Sequence, residues 1–200
     1  MDLKSYFKPL SDEIYQNQNN WQTTQIGYQI QSNNSITFPE YKYCEIALFN
    51  IREYQGSDNL FTDKECKIRK EIYSLHFDTP PRICDLGFLD LSDSRKESFK
   101  KIEEVCAELL KNGILPIVIG GGHDITYALY KSYSSLDKSI TLTSVDKKFD
   151  LGIKDEKLSN TNFFRYLNTI IWCTYYISIY APNKFNFFSK LLYLFFIYKY

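Results

Sequence analysis

A chain of 200 residues, 44% of them apolar, has enough material for the core of one ordinary domain. Its 24 basic residues balance its 24 acidic ones, which excludes a bulk electrostatic attraction to nucleic acid or to an anionic membrane surface. The five cysteines, Cys44, Cys66, Cys84, Cys106 and Cys173, are scattered, odd in number and without a CxxC pair, a pattern that fits a reduced protein better than a disulfide framework.

The amino-terminal MDLKSYFKPLSDE lacks the apolar stretch of a secretory signal, so the expected compartment is the cytoplasm. Residues 1–40 form a polar arm rich in Gln and Asn, in which Trp21, Ile26 and Ile30 can dock on a domain. That domain is expected over residues 41–158. Residues 45–51 (EIALFNI) are nearly all apolar and precede a turn-like REYQGSDN, which predicts a buried strand. Residues 67–75 place Ile68, Ile72 and Leu75 at helical spacing, and His76 ends that helix as a surface residue. After Pro80-Pro81, residues 83–89 form a second candidate strand, with Asp85 readable as a buried hydrogen-bonding acid or a loop cap.

The clearest helix covers residues 93–112. Phe99, Ile102, Cys106, Leu109 and Leu110 share one face, Ser94 and Glu97 have capping-box spacing, and Gly113 supplies a stop. Residues 114–119 (ILPIVI) are apolar on both faces, as in a parallel strand covered by helices on each side. Gly120-Gly121-Gly122-His123 follows. A helix is expected over residues 124–135 with Asp124 as its N-cap, then a strand over residues 139–145 that ends at Asp146.

Strands alternating with helices predict an α/β fold with a mainly parallel sheet and helices on both faces. Ligands of such sheets collect beyond the carboxyl ends of the strands, where His123 and Asp146 both stand. His123, Asp146 and Asp150 together offer imidazole and carboxylate donors, a mixture that suits manganese or another divalent first-row ion. Each part also has a plainer reading. A glycine run before a helix is often only a turn, and Asp146, Lys147, Lys148 and Asp150 could all be solvated loop charges.

In combination these motifs resemble the ureohydrolase family of arginase, agmatinase and formimidoylglutamase. That family carries Gly-Gly-x-His after one strand, Asp-x-His-x-Asp after the next, and a later motif with two further aspartates. The resemblance covers about residues 40–155. It includes IALFNI, IRKEIYSL and the Asp85-Leu86-Gly87 strand, and GGGHDITYALY and SVDKKFDLG are most similar to a formimidoylglutamase-like branch. It implies an arginase-like domain, incomplete in this chain. It also implies two manganese ions and hydrolysis of a linear amidine or guanidine such as formimidoylglutamate, arginine or agmatine. By position, His123 and Asp150 would hold one ion and Asp146 would bridge both. No residue is assigned a catalytic role.

The chain departs from the pattern at Lys148, where the second ion's histidine belongs. An ammonium has three donors and no lone pair, so it cannot ligate. No Asp or Glu follows Glu156 and no His follows His123, which leaves three of the family's six ligands. The expectation is a polypeptide inactive by itself. Its partner, if active, is a small amidine or guanidine, and a homo-oligomer is compatible with the sequence.

Residues 159–200 form an aromatic-rich tail whose composition changes abruptly, as in an out-of-frame or otherwise non-native ending. Two apolar runs flank Pro182-Asn183-Lys184, each shorter than the ~20 residues of a spanning helix, so a membrane hairpin is disfavoured. The alternatives from other classes are a non-catalytic binding or regulatory subunit, and a membrane-associated protein using this tail.

Overall fold

The computed structural model describes residues 1–11, 20–56, 64–136, 141–146, 150–153, 157–168, 176–180 and 196–198. It divides into two compact units, one of residues 1–52 and 60–121, the other of residues 53–59 and 122–200.

In the first unit β3 (Ile46–Asn50) lies between β4 (Ile83–Leu89) and β5 (Leu115–Ile119), parallel to both. Ile46 is level with Ile83 on one side and Leu115 on the other. The apolar run predicts this central place: Ala47, Leu48 and Phe49 are buried on both faces of the sheet. β5 differs from expectation. Leu115 is 43% exposed and Pro116, Ile117 and Val118 are only half-buried. Among the described residues of this unit β5 is the last strand of the sheet, and Pro116, which cannot donate to a ladder, suits such a position.

Residues 1–40 contribute two short strands of their own. β1 (Phe7–Lys8) runs antiparallel to the end of β4, and β2 (Gln31–Ser32) runs parallel to its start. Leu3, Phe7, Leu10, Ile26 and Ile30 are buried, the last two in and just after the one-turn helix α1 (Ile26–Gln29). Phe7 meets Phe49 edge-on at 5.4 Å, and Trp21 covers Gly27 and approaches Tyr73 at 6.1 Å.

The helices of this unit follow their predicted spacing. α2 (Lys64–Ser74) and α3 (Arg95–Lys111) match the two amphipathic runs, and both pack against β5. Ser94 Oγ accepts from the Glu97 amide at 3.5 Å, as the capping spacing predicts. The reciprocal half of the box is not made, because the Glu97 carboxylate accepts from Ser92 Oγ at 2.5 Å. Ile102, Val105, Cys106 and Leu109 are fully buried, whereas Phe99 and Leu110 flank the stripe half-buried. Gly113 ends the helix at φ 75°, a conformation that glycine adopts without penalty.

Beneath the sheet's surface lies an ion pair that ties α2 to β4. Arg69 and Asp85 are both fully buried. The guanidinium donates to both carboxylate oxygens, from Nε at 2.6 Å and from Nη2 at 3.1 Å. The Tyr73 hydroxyl and the Gly87 amide each donate to the same carboxylate at 2.9 Å. Burial, reinforced by the Asp85 charge, pushes the Tyr73 hydroxyl well above its usual pKa, so it remains a donor.

In the second unit β6 (Thr141–Asp146) pairs in parallel with β7 (Tyr176–Tyr180) and antiparallel with β8 (Phe196–Tyr198). Its core joins Tyr130 of α4 (Thr126–Ser134), Leu142 of β6, and Phe163, Phe164 and Leu167 of α5 (Phe163–Asn168). The α/β class with mostly parallel pairing is therefore the observed one. Among the described residues no helix is long and apolar enough to cross a membrane.

Candidate metal site

The glycines between β5 and His123 have two different jobs. Gly120 and Gly121 sit at φ 80° and 78°, in the left-handed region that L side chains resist. Gly122 has an ordinary φ of −72°. What it requires is space, since a Cβ there would collide with Asp124 Oδ1 and lie 2.6 Å from Asn160 Oδ1. Its amide donates to the Glu53 carbonyl at 2.6 Å, which fixes the turn. Gly122→Ala is expected to lower stability by about 1–3 kcal/mol, the usual penalty of overpacking. A denaturant midpoint unchanged from the parent would contradict this account of the turn.

The element after the turn corrects one expectation. Residues 124–135 do not form one helix capped by Asp124. A 3-10 turn, His123–Ile125, comes first, and α4 starts at Thr126. Asp124 lies inside that turn, and its amide is itself held by a side chain, Asn160 Oδ1 at 3.3 Å. The first turn of a helix leaves amides without internal partners, and here a residue remote in sequence supplies one.

This geometry brings His123 and Asp150 together. Both are 5% exposed, and His123 Nδ1 lies 2.9 Å from Asp150 Oδ2. The Phe163 ring packs on the imidazole, its centroid 4.6 Å away and tilted by 47°. The lone pair of a neutral imidazole nitrogen and an ionised carboxylate oxygen are both groups that a cation can accept. Asp146 is the final residue of β6. Its side chain, and Lys147 and Lys148 entirely, lie outside the described residues. Of the three expected donors the structure therefore joins two.

A short segment after Asp150 secures the pair. The Asp150 carbonyl accepts from the Phe164 amide at 3.2 Å. The next two carbonyls accept from Arg165, Leu151 from Nε at 2.7 Å and Gly152 from Nη2 at 3.1 Å. Asn162 shapes the approach, accepting from the Ser159 amide at 2.7 Å and donating to the Lys157 carbonyl at 2.8 Å. Glu53 is also buried in this unit, and its carboxylate accepts from the Gln55 amide at 3.0 Å. None of Glu53, Asn160, Phe163 and Arg165 is singled out by the sequence. The cluster of Ser, Asn and Thr at residues 159–162 is the one available signal, since such residues cap and turn backbone.

The pair fits part of a manganese site. An imidazole nitrogen and a carboxylate oxygen are suitable donors. Their 2.9 Å separation also matches adjacent corners of an octahedron with bonds of roughly 2.1 Å, since the edge is √2 longer than the bond. Among the described residues no three His, Cys, Asp or Glu side chains gather into a metal-holding group. What is described is thus a pair of side chains of suitable donor type.

Comparison with known proteins agrees with this architecture. The family model for the Arginase family matches residues 55–184, beyond residue 155, where the motif resemblance stops. Formimidoylglutamase of Staphylococcus carnosus is 32% identical over 105 residues, which are 48% of this chain and 32% of that protein. The solved formimidoylglutamase of Bacillus subtilis matches with a TM-score of 0.60 at 17% identity, over 84% of this chain and 57% of that one. Formiminoglutamase of Trypanosoma cruzi, solved with Mn2+, matches with a TM-score of 0.55 at 18% identity, over 66% of this chain and 50% of that one. At such identities the structural likeness establishes the fold. The chain spans about a third of the length of the curated relatives it matches, 29% and 32% for the first two. With the family model matched over more than half of its residues, and with the glycine turn and its histidine inside that match, this chain belongs to the arginase family.

Proposed function

We propose that this protein carries part of a manganese centre of the ureohydrolase type. Its chemistry is hydrolysis of a linear amidine or guanidine, with formimidoylglutamate first among the substrates and arginine and agmatine as the other members of the class. The observation that supports this most is the buried His123–Asp150 contact in a chain of the arginase family. The family's formimidoylglutamase members favour the formimidoyl substrate. Asp146 at the end of β6 would be the third donor. A divalent ion held there supplies Lewis acidity, generating a nucleophile from water at neutral pH and stabilising the charge that develops.

The chain's own residues orient and exclude. Phe163 covers one face of the imidazole, and burial of His123 and Asp150 keeps bulk water from competing for them. By itself this chain is inactive in our reading, because Lys148 stands where the second ion's imidazole belongs and three of the family's six donors are present.

Calorimetric titration with manganese, alongside the same titration of His123→Ala, tests the site. Weak binding that the substitution abolishes is the expected result, and no heat in either protein would overturn the metal reading. Assays with formimidoylglutamate, arginine and agmatine should show no turnover. Manganese-dependent release of product from any of them would overturn the inactivity of the chain alone.

A further inference from the structure

One short segment reaches both members of the His123–Asp150 pair. Asn160 holds the amide of Asp124, next to His123, and Phe163 packs on the His123 ring. Phe164 and Arg165 then take three successive carbonyls, those of Asp150, Leu151 and Gly152. Gly152 is at φ 50°, and a Cβ there would collide with Asn162, so the loop leaves Asp150 along a single tight path. A carboxylate on a loop keeps its direction only if the backbone around it is fixed. Here the fixing groups come from α5, which is anchored by the fully buried Phe163 and Leu167.

We propose that Arg165 is a positioning residue, its planar guanidinium spanning the Leu151 and Gly152 carbonyls so that Asp150 faces His123. The guanidinium suits this task because its donors form a rigid fork, whereas an ammonium is a single rotatable point. Arg165 itself is exposed, and its removal leaves the buried anchors of α5 untouched. The consequence for metal binding rests on the manganese reading above. The consequence for the His123–Asp150 contact does not.

Two measurements on the whole chain separate these levels. The chain has only two histidines, His76 and His123, so labelling histidine with 15N gives two distinguishable rings. In the metal-free parent at constant neutral pH, the His123 ring should give a 15N signal distinct from that of His76, because the buried Asp150 carboxylate lies 2.9 Å from its Nδ1. Arg165→Ala should broaden or lose that signal. It should also lower manganese affinity by about tenfold to a hundredfold, the scale on which groups behind metal ligands act. Arg165→Lys should recover part of both. Leu167→Ala, a core truncation in the same helix, should unfold more easily yet keep the signal and the affinity. The proposal is overturned if Arg165→Ala leaves the His123 signal intact, or if Leu167→Ala abolishes it equally. If the parent takes up no manganese, the metal reading fails, and the His123 signal alone decides the role of Arg165.

Discussion

Replacing Asp85 with Ala is expected to destabilise the protein by about 3–5 kcal/mol, the range for removing one partner of a buried ion pair. Arg69 has no exposed surface, so the substitution would take from a guanidinium that water cannot reach the carboxylate that accepts two of its hydrogen bonds. Two further donors, the Tyr73 hydroxyl and the Gly87 amide, would lose the same acceptor. For a domain whose total stability is about 5–15 kcal/mol, much of the population would unfold. Replacing both charges, as in the Arg69→Met, Asp85→Leu double variant, should recover a substantial part of the loss. An apolar pair leaves no charge uncompensated, although Tyr73 and Gly87 still lack their acceptor. Urea unfolding of the three proteins gives the comparison. A single variant within about 1 kcal/mol of the parent, or a double variant worse than Asp85→Ala, would show that this pair does not hold α2 to β4.

The same pair shows what a sequence conceals. Asp85 is recognisable as a buried acid or a cap, but its partner lies 16 residues away on another element, and no spacing rule connects a helix residue to the following strand. The strands and α3 were legible because each states its environment locally. A run such as IALFN is apolar at every position because both faces are covered, and α3 repeats its apolar residues with the helical period. β5 shows the limit of such local signals, since ILPIVI has the composition of a doubly covered strand while Leu115 is exposed. At the site, His123 and Asp150 were legible as donor types at strand and loop ends. Asn160 and Arg165 were not, because they act on backbone amides and carbonyls, which carry no residue-specific mark. The polar arm hid its role too. A two-residue strand such as Phe7–Lys8 is too short to show alternation, yet it pairs with β4 and buries Phe7.

Lys148→His is expected to raise manganese affinity by at least about tenfold, the smallest change usually seen when a group at a metal site is altered. The substitution acts twice. It removes a permanent positive charge from the Asp146–Asp150 stretch, and it adds a neutral imidazole at the middle of an Asp-x-His-x-Asp motif. The gain should depend on pH in one direction. Imidazole with a pKa near 6.5 ligates only when deprotonated, so the advantage is present above roughly pH 7 and disappears as pH falls through 6. The parent, with a lysine at that position, has no such donor to lose. A second effect distinguishes the metal-free proteins. If the ammonium compensates two carboxylates that repel each other, its loss lowers the metal-free melting temperature, and manganese restores it in the variant. Parallel titrations at pH 7.5 and 5.5, with melting curves in the presence and absence of manganese, cover these outcomes. Equal affinity in parent and variant at pH 7.5, with equal melting temperatures, would place residue 148 among solvated loop charges and remove it from the metal site.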